Sequence, residues 1–307
     1  MEKNVFKRLD YLRNLGSVNK KLDFINKNSS DKELMLLLKM AFSDEYVIPK
    51  APFKGIKIAY GKPYANSVET FRVVVHNVKK RLWGHEELQY FFSSVSALEG
   101  VAYLQIVNKT FSIGVSKEVL AWHLPHLFFS KKTYKVIKGV AGDIDIYPKY
   151  VQYVPSGARE TLIIKHGNAH LETFSGMYME GYRNIETSAE RLGERIGLKD
   201  HTVIFYGKVY GGVFYIEDYF IVDEFPQEEK PYYSINKIAR IESILSTDRV
   251  KNIKLMRGVI AHNKHELYSI VSKQEIYNAL YDVEYLLVKP ISGNEKVIYK
   301  IDVEERI

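Results

Sequence analysis

The apolar residues of this chain follow a helical spacing in its first half and alternate with polar residues in its second half. Up to about residue 124, apolar side chains recur every three or four positions, which is the pattern of a helix that buries one face. Ser17 and Ser30-Asp31 stand where a side-chain oxygen can cap the first turn of a helix. The pattern predicts helices that begin after these two caps, and further helices over Val68–Lys80, Glu86–Leu98, Ala102–Lys109 and Lys117–His123.

The second half has a period of two, which is typical of half-buried strands. Tyr210-Gly211-Gly212 separates two of the alternating runs and predicts a hairpin. The predicted strands are Thr161–Lys165, Ala169–Phe174, Thr202–Val209, Val213–Val222, Asn252–His262, Glu284–Lys289 and Lys296–Ile301, and the predicted helices are Glu186–Ile196, Ser234–Leu245 and Lys273–Tyr281. This order indicates an antiparallel-rich α+β domain.

A polar, glycine-containing segment between the halves indicates a linker near residues 130–148. Ser130-Lys131-Lys132 and Gly139–Asp145 carry this composition. We therefore predict a two-domain α+β protein. An all-α domain over residues 1–138 is followed by an antiparallel-rich α+β domain over residues 139–307.

The net charge of +7 is divided unevenly along the chain. Residues 1–140 carry a net charge of +11, and residues 141–307 carry −4. This asymmetry predicts that the basic half binds a polyanion, with nucleic acid the favoured one, while the acidic, tyrosine-rich half is free to bind a protein. The alternative is a solvated basic surface without a partner. Cations and a hydroxyl group at helix ends and turns are the candidate phosphate contacts. They are Lys20, Lys21, Lys79, Lys80, Arg81, Lys109, Ser116, Lys117, Lys131 and Lys132.

The composition also excludes several classes of site. The chain has no cysteine, so disulfides and cysteine-ligated metals are excluded, and the expected compartment is a reducing cytoplasm. No apolar run approaches the ~20 residues of a membrane span, and the N-terminus lacks the apolar core of a signal peptide. Two histidine pairs, His166 with His170 and His262 with His265, lie in predicted turns or loops, so we predict no metal site.

The segment Tyr153-Val154-Pro155-Ser156-Gly157-Ala158-Arg159 resembles the Lys-x-Asp-Gly-x-Arg signature of the ATP-dependent DNA ligases. In that comparison Val154 stands where the attacking lysine should be, and Ser156 stands where the aspartate should be. A nucleophile needs a lone pair that can be unmasked near neutral pH, which valine lacks. The resemblance therefore implies a nucleotidyltransferase site that has lost its nucleophile.

Other segments follow the same family in the same order, and most closely the ligases of T-even phages. Leu15–Lys21 resembles the opening of the first helix of the family's DNA-binding domain, and Lys80-Arg81-Leu82-Trp83-Gly84 resembles its Arg-Lys-x-Thr-Gly segment. Ile106–Ser116 resembles its helix and turn, and Gln152 also follows the phage pattern. The resemblance implies an all-α DNA-binding domain followed by a nucleotidyltransferase-like domain, without the OB-fold domain that closes a ligase around nicked DNA.

The resemblance also assigns positions downstream of the signature. Phe174 replaces an arginine, Tyr206 replaces an aspartate, and Lys208 replaces a glutamate that helps to hold metal and ribose. Phe220 resembles the aromatic residue that stacks on adenine, and Arg240 resembles an arginine of the following helix. In the final motif Lys300 is kept and a second lysine has become Asp302. The implied vestigial nucleotide pocket consists of Val154, Ser156, Arg159, Lys208, Phe220, Glu284, Lys289 and Lys300.

These losses predict a catalytically inactive ligase-like protein, not an enzyme. It would bind duplex DNA without sequence specificity and act as an accessory, scaffold or inhibitor in phage DNA replication and repair. No cofactor is expected, although Arg159, Glu284, Lys289 and Lys300 could still bind ATP without reacting.

Two alternatives stay open. One is an active ATP-dependent DNA ligase, or a ligase subunit, that uses a displaced lysine (Lys208, Lys149 or Lys165) or parts of a partner chain. The other is a chain that binds only proteins.

Overall fold

The structure is a computed structural model in which residues 4–43, 46–58, 67–124, 127–128, 135–139, 141–195, 201–221, 235–246, 250–272, 283–291 and 297–302 are described. It divides into two compact units. The first unit holds residues 1–131 together with Ser175–Tyr178, and the second holds residues 132–174 and 179–307. The sequence had placed this division at residue 138. Among the described residues, no helix is long and apolar enough to cross a membrane.

The first unit is built from helices around an apolar core. They are α1 (Val5–Asn14), α2 (Val18–Lys27), α3 (Lys32–Phe42), α4 (Ser67–Lys79), α5 (His85–Ser94), α6 (Ala97–Val107) and α7 (Lys117–His123). The Ser17 side chain accepts a hydrogen bond from the Lys20 amide at the start of α2, and Asp31 caps α3 in the same way. In the core, Phe71 of α4 stacks on Tyr103 of α6, with ring centroids 4.1 Å apart.

Two features of these helices differ from the prediction. The sequence analysis did not propose α1, which buries Val5, Phe6, Leu9 and Leu12. It also extended α5 to Leu98, whereas the structure ends α5 at Ser94 and begins α6 at Ala97. The reason is a capping box: the Ser96 hydroxyl accepts from the Glu99 amide, and the Glu99 carboxylate accepts from the Ser96 amide.

The second unit is an α+β structure with two five-stranded mixed sheets. Sheet I has the order β1-β10-β9-β2-β8 and sheet II has the order β4-β3-β5-β6-β7. The strands are β1 (Lys135–Lys138), β2 (Lys149–Pro155), β3 (Arg159–Lys165), β4 (Asn168–Thr173), β5 (Thr202–Tyr210), β6 (Val213–Ile221), β7 (Ile253–Leu255), β8 (Gly258–Ala261), β9 (Val283–Pro290) and β10 (Val297–Asp302), and the helices are α8 (Arg183–Arg195), α9 (Ile235–Leu245) and α10 (Lys264–Ser272). Only β1–β10 and β6–β7 are parallel pairs among the pairings described.

Three predictions for this unit need correction. The predicted linker near residues 130–148 contains β1, which pairs with β10. The single predicted strand over residues 252–262 is two strands, β7 in sheet II and β8 in sheet I. His265, predicted in a loop, lies in α10, because the Asn263 side chain accepts from the Glu266 amide and so caps that helix. The predicted helix Lys273–Tyr281 lies outside the described residues.

Sheet II has one mainly apolar face and a second face, called the polar face, which carries Arg159, Lys208 and Glu217 beside buried apolar residues such as Ile163. Leu162 and Ile164 of β3 pack in one apolar cluster with Ile185 and Leu192 of α8. Arg159 and Thr161 therefore point to the opposite face, because successive side chains of a strand alternate. Hydrogen bonds from sheet I to Glu217 of β6 place this polar face against sheet I. The candidate site lies between these two faces.

Candidate functional site

Five strands bring charged side chains together between sheets I and II. We call this group the inter-sheet cluster. It consists of Arg159 on β3, Lys208 on β5, Glu217 on β6, Glu284 and Lys289 on β9, and Lys300 on β10. Arg159 and Lys208 are direct partners in the β3–β5 pairing, so the two cations stand side by side on one sheet.

Glu217 is the centre of one half of the cluster. The Arg159 guanidinium donates to both of its carboxylate oxygens, at 2.8 and 2.6 Å. From sheet I, the Lys289 amine and the Gln152 amide each donate to the Glu217 carbonyl oxygen at 3.2 Å. Burial opposes the charge of Glu217, but attraction to Lys289 and Arg159 outweighs it and holds the pKa of this carboxyl below its ordinary value. Glu217 therefore joins the two sheets through both its side chain and its backbone.

Lys289 is buried as deeply as any charged residue of the cluster. Its side chain is 2 % exposed, and its amine lies 3.9 Å from a Glu217 carboxylate oxygen. Burial lowers the pKa of this amine, and the nearby carboxylates of Glu217 and Asp218 only partly oppose the shift. A lysine whose pKa is lowered holds its proton less tightly than a surface lysine.

Lys208 forms the other half of the cluster. Its amine pairs with the Glu284 carboxylate and lies 5.0 Å from the centroid of the Tyr285 ring. The Lys300 amine lies 4.2 Å from the centroid of the same ring. Burial raises the pKa of Tyr285 to about 12, with a further contribution from Glu217, so its hydroxyl stays protonated at neutral pH.

Val154, which the resemblance aligned with the signature lysine, is fully buried in the apolar core of sheet I. In the β2–β9 pairing its direct partner is Tyr285. Because Lys208 lies over the Tyr285 ring, the structure brings a lysine amine from sheet II to the strand pair in which the signature lysine would stand. The side chain of Lys208 is 4 % exposed, whereas its partner Glu284 is 47 % exposed, so the pair opens to solvent on the Glu284 side.

The turn after β2 keeps the glycine of the signature for a structural reason. Gly157 has φ +123°, and a Cβ at this position would lie 3.1 Å from the Val209 carbonyl oxygen. Only glycine adopts this conformation readily. Ser156, which stands in place of the signature aspartate, lies in the same turn and is half-buried.

Phe220, the candidate adenine-stacking residue, lies on β6 beyond the charged groups. Its ring packs edge-on against Tyr206, with centroids 5.4 Å apart, and both side chains are buried. The resemblance had aligned Tyr206 with an aspartate; in the structure its ring packs on Phe220. Lys300 lies at the other end of the site, where it pairs with Asp302 at 3.1 Å. The side chain of Arg240 lies outside the described residues.

The candidate DNA contacts of the first unit occupy different environments. Lys20 is exposed on α2, but the amine of Lys21 is buried and donates to the Ile113 carbonyl oxygen at 2.7 Å. Lys21 is therefore held inside the unit rather than presented to a ligand. Lys79 and Lys80, at the end of α4, each lie 5.9 Å from the centroid of the Tyr178 ring.

The remaining candidates lie at helix ends. Arg81, just after α4, and Lys109, just after α6, are in the left-handed conformation. The Ser116 hydroxyl accepts from the Val119 amide and caps α7, in which Lys117 is the first residue. Lys131 and Lys132 lie outside the described residues.

Sequence reasoning missed Glu217 and Tyr285, which hold the cluster together. The available signal was Glu217 itself, an acidic residue that directly follows the apolar and aromatic run Val213–Ile216 of β6. A charge on the buried face of a strand requires a partner. The partners come from β3 and β9, which are far apart in the sequence, so the pairing could not be assigned without the sheet order.

The carboxylates of this site are already engaged by cations. Glu217 binds Arg159, and Glu284 binds Lys208. Across the described residues, no three His, Cys, Asp or Glu side chains come together in a way that could hold a metal ion. His170 pairs with Glu172 at 3.0 Å instead. A divalent cation in this site would therefore depend on nucleotide phosphates for most of its ligands.

Comparisons with known proteins give a fold but no sequence family. No family model matches the chain, and no curated protein matches it. Among solved structures, "Pmar-Lig_Pre." is similar with a TM-score of 0.50 and 14% identity, over 98% of this chain and 78% of that one. "Pmar-Lig_PreS3" is similar over the same shares, with a TM-score of 0.50 and 13% identity. The match to a mycobacterial DNA ligase D complexed with ATP and MES spans 57% of this chain and 62% of the ligase chain, with a TM-score of 0.35 and 11% identity.

One expectation is overturned by these comparisons. The sequence analysis concluded that the chain is not an enzyme, but the structures that share its fold are ligases, and no feature of the described residues demonstrates a loss of activity. The conclusion failed because replaced signature residues, such as Val154 and Ser156, do not by themselves show that a chain has lost activity. The chain has a ligase-like nucleotidyltransferase fold.

Proposed function

We propose that this chain is a ligase-related nucleotidyltransferase that binds ATP in the inter-sheet cluster, with Lys208 in the role of the missing signature lysine. The observation that carries this proposal is the position of the Lys208 amine over Tyr285, the direct strand partner of Val154. Lys208 lies on β5 of sheet II, but its amine lies beside the β2–β9 strand pair of sheet I, where the resemblance puts the signature lysine.

The charged groups of the cluster could bind the phosphates of a nucleoside triphosphate. Arg159, Lys208, Lys289 and Lys300 supply four cations, while Glu217 and Glu284 supply two carboxylates. Arg159 and Lys300 are each more than a third exposed, so both can contact a ligand that enters from solvent. Phosphate oxygens are bound well by fixed cations of this kind.

The proposed reaction follows from the chemistry of an amine. Glu284 accepts the proton of the Lys208 ammonium, and the freed lone pair attacks the α-phosphorus of ATP. A P–N bond forms, the bond from the α-phosphorus to the bridging oxygen breaks, and pyrophosphate leaves. The product is AMP joined to Lys208. Arg159 and Lys289, on either side of Glu217, offset the charge that develops on the phosphoryl oxygens.

The experiment is to incubate the protein with ATP and magnesium chloride and to measure its intact mass. The proposal predicts a mass increase of one AMP in the wild type. Lys208→Arg keeps the positive charge beside Glu284 but removes a nucleophile that can lose its proton, so it should bind ATP and form no adduct. Lys165→Arg, at the end of β3 opposite to Arg159 and outside the cluster, is the matched control and should keep the adduct. ATP binding without any adduct in the wild type would contradict the role of Lys208.

A second function, duplex-DNA binding by the first unit, is supported by its charge. Residues 1–140 carry a net charge of +11. Lys79, Lys80 and Arg81 follow one another at the C-terminal end of α4, and Lys109 with Lys117 lies at the ends of α6 and α7. Cations at such positions hold phosphates without reading bases.

This second function predicts a steep salt dependence. Binding to intact duplex DNA should weaken strongly between 50 and 200 mM salt, by about 10-fold for every two phosphates that the protein neutralises. Lys79→Gln with Lys80→Gln should reduce the slope of log K against log[salt] by about 2. A DNA affinity that is the same at both salt concentrations would contradict DNA binding by these residues.

A further inference from the structure

A polar groove lies in the second unit, away from the inter-sheet cluster. It is formed by α8 and the residues that lead into β7, and its volume is about 620 Å³. Helix α8 packs on the face of sheet II opposite to the cluster, so the groove and the cluster lie on different sides of that sheet. No residue of the groove takes part in the proposed nucleotide site.

One face of α8 supplies most of the groove. Asn184, Ser188, Arg191 and Arg195 are spaced by three or four residues and therefore share that face. A neighbouring face, with Ile185, Ala189 and Leu192, is buried against sheet II. A third face carries a net charge of −1: its one cation, Arg183, pairs with Glu186 at 3.5 Å and with Glu190 at 3.1 Å. The helix thus separates an apolar face, a face of net charge −1 and a face with two arginines.

The groove carries more positive than negative charge. Arg191, Arg195 and Lys251 line it, and Glu194 is the one acidic residue among the described residues of its lining. Neither Arg191 nor Lys251 has an ion-pair partner within the part of the chain that the structure describes. Both are exposed, so their charges are available to a ligand from solvent.

The position of Lys251 is fixed by the strand that follows it. The carbonyl oxygen of Asn252 accepts from the Phe214 amide at 2.9 Å, and the Asn252 side chain donates to the Gly212 carbonyl oxygen at 3.3 Å. These bonds tie the residue next to Lys251 to the β5–β6 hairpin. Lys251 therefore lies beside sheet II, whereas the two arginines of the groove, Arg191 and Arg195, lie on α8.

The lining favours a phosphate backbone over other ligands. Small-molecule pockets are lined mostly by apolar and aromatic side chains, whereas this groove presents guanidinium, ammonium, hydroxyl and amide groups. These are the groups that contact phosphates and sugars in nucleic-acid complexes. Arg191 and Arg195 stand about one turn apart, roughly 6 Å along the helix axis, so they can contact successive phosphates of one strand. The described lining includes no aromatic side chain, and so it offers no platform on which a base could stack.

We propose that this groove binds the phosphodiester backbone of a nucleic acid, through Arg191, Arg195 and Lys251 and without recognition of bases. The second unit then contacts nucleic acid itself, although residues 141–307 carry a net charge of −4. This inference extends the proposed DNA binding of the first unit and does not depend on nucleotide transfer at Lys208.

The test compares two double variants that lose the same charge. Arg191→Gln with Lys251→Gln removes two cations of the groove. Arg183→Gln with Lys264→Gln removes two cations from the same unit outside the groove, where each forms surface ion pairs of small energetic value. Affinity for an intact duplex and for a single strand of equal length is measured over a series of salt concentrations, and thermal unfolding confirms that both variants are folded.

We expect the groove variant to reduce the slope of log K against log[salt] by about 2 and the control variant to leave it unchanged. Equal slopes for the groove variant and the wild type would overturn the inference. Another outcome is that the slope of log K against log[salt] falls only in the first-unit double variant, which carries both Lys79→Gln and Lys80→Gln. In that case the first unit binds DNA and the groove does not. A competition experiment adds ATP or inorganic phosphate at constant ionic strength. If either displaces the oligonucleotide from the wild type but not from the groove variant, the groove binds free phosphates. That result would also overturn the inference.

Discussion

At the scale of single residues, burial decides what each charge of the inter-sheet cluster does. Glu217 is almost fully buried and is surrounded by Arg159, Lys289 and Gln152, so it holds the two sheets together. Glu284 is half-exposed and pairs with Lys208, so this carboxylate faces both the lysine amine and solvent. The sequence comparison identified Arg159, Glu284 and Lys289 as members of the site. It could not identify Glu217, whose role depends on partners from two other strands.

Glu217 provides a prediction about stability. Glu217→Gln removes the carboxylate that the buried Lys289 and the half-buried Arg159 share, which should cost about 3–5 kcal/mol in the free energy of unfolding. Asp145→Asn, at the exposed pair that Asp145 forms with Lys264, should cost less than about 1 kcal/mol. Denaturant unfolding of the two variants measures this difference. Equal losses would show that Glu217 does not hold the sheets together.

The same residue sets a dependence on pH. Because its neighbours hold the pKa of Glu217 below the ordinary value, its contribution to stability is complete above the pKa of the unfolded chain and is lost as the pH falls through the folded pKa. The wild type and Glu217→Gln should therefore differ most near neutral pH and converge in acid. Denaturant unfolding at neutral and at acidic pH checks the direction, and a difference that grows in acid would contradict it.

At the scale of secondary-structure elements, periodicity predicted the elements better than their ends and partners. The strands of the β3–β4 and β5–β6 pairs match their predicted positions closely, because each combines partial alternation with a high content of β-branched and aromatic residues on either side of a glycine-containing turn. Residues 252–262 also alternate, but they form two strands of different sheets, and alternation alone carries no information about the partner strand. Likewise, the apolar pattern runs through the break between α5 and α6, and only the Ser96 and Glu99 capping box marks it.

The capping box of α6 gives a prediction at this scale. Ser96→Ala removes the acceptor of the Glu99 amide and should destabilise the protein by about 1 kcal/mol. Ser94→Ala is the matched control, because Ser94 lies at the C-terminal end of α5 and its hydroxyl donates to the Tyr90 carbonyl oxygen within its own helix. Thermal unfolding of the two variants measures the difference. An equal effect of the two substitutions would contradict the role of the capping box.

At the scale of the whole molecule, the order of segments indicated the fold more firmly than any single motif did. Weak matches in one order along nearly the whole chain implied a ligase-like architecture, and the similarity to solved ligase structures agrees with that fold. The conclusion that the chain is not an enzyme did not follow from it. A sequence shows that residue 154 is valine, but the place of the Lys208 amine depends on how sheet II faces sheet I. The chemistry of this site is therefore a property of the packed sheets.

The central claim is that Lys208 carries the chemistry of the absent signature lysine. The measurement that tests it most directly is peptide mapping by mass spectrometry after incubation of the wild type with ATP and magnesium chloride. The account predicts one AMP on the peptide that contains Lys208, with its loss in Lys208→Arg. AMP found on Lys149, Lys165 or Lys289, or no AMP on any peptide, would contradict it.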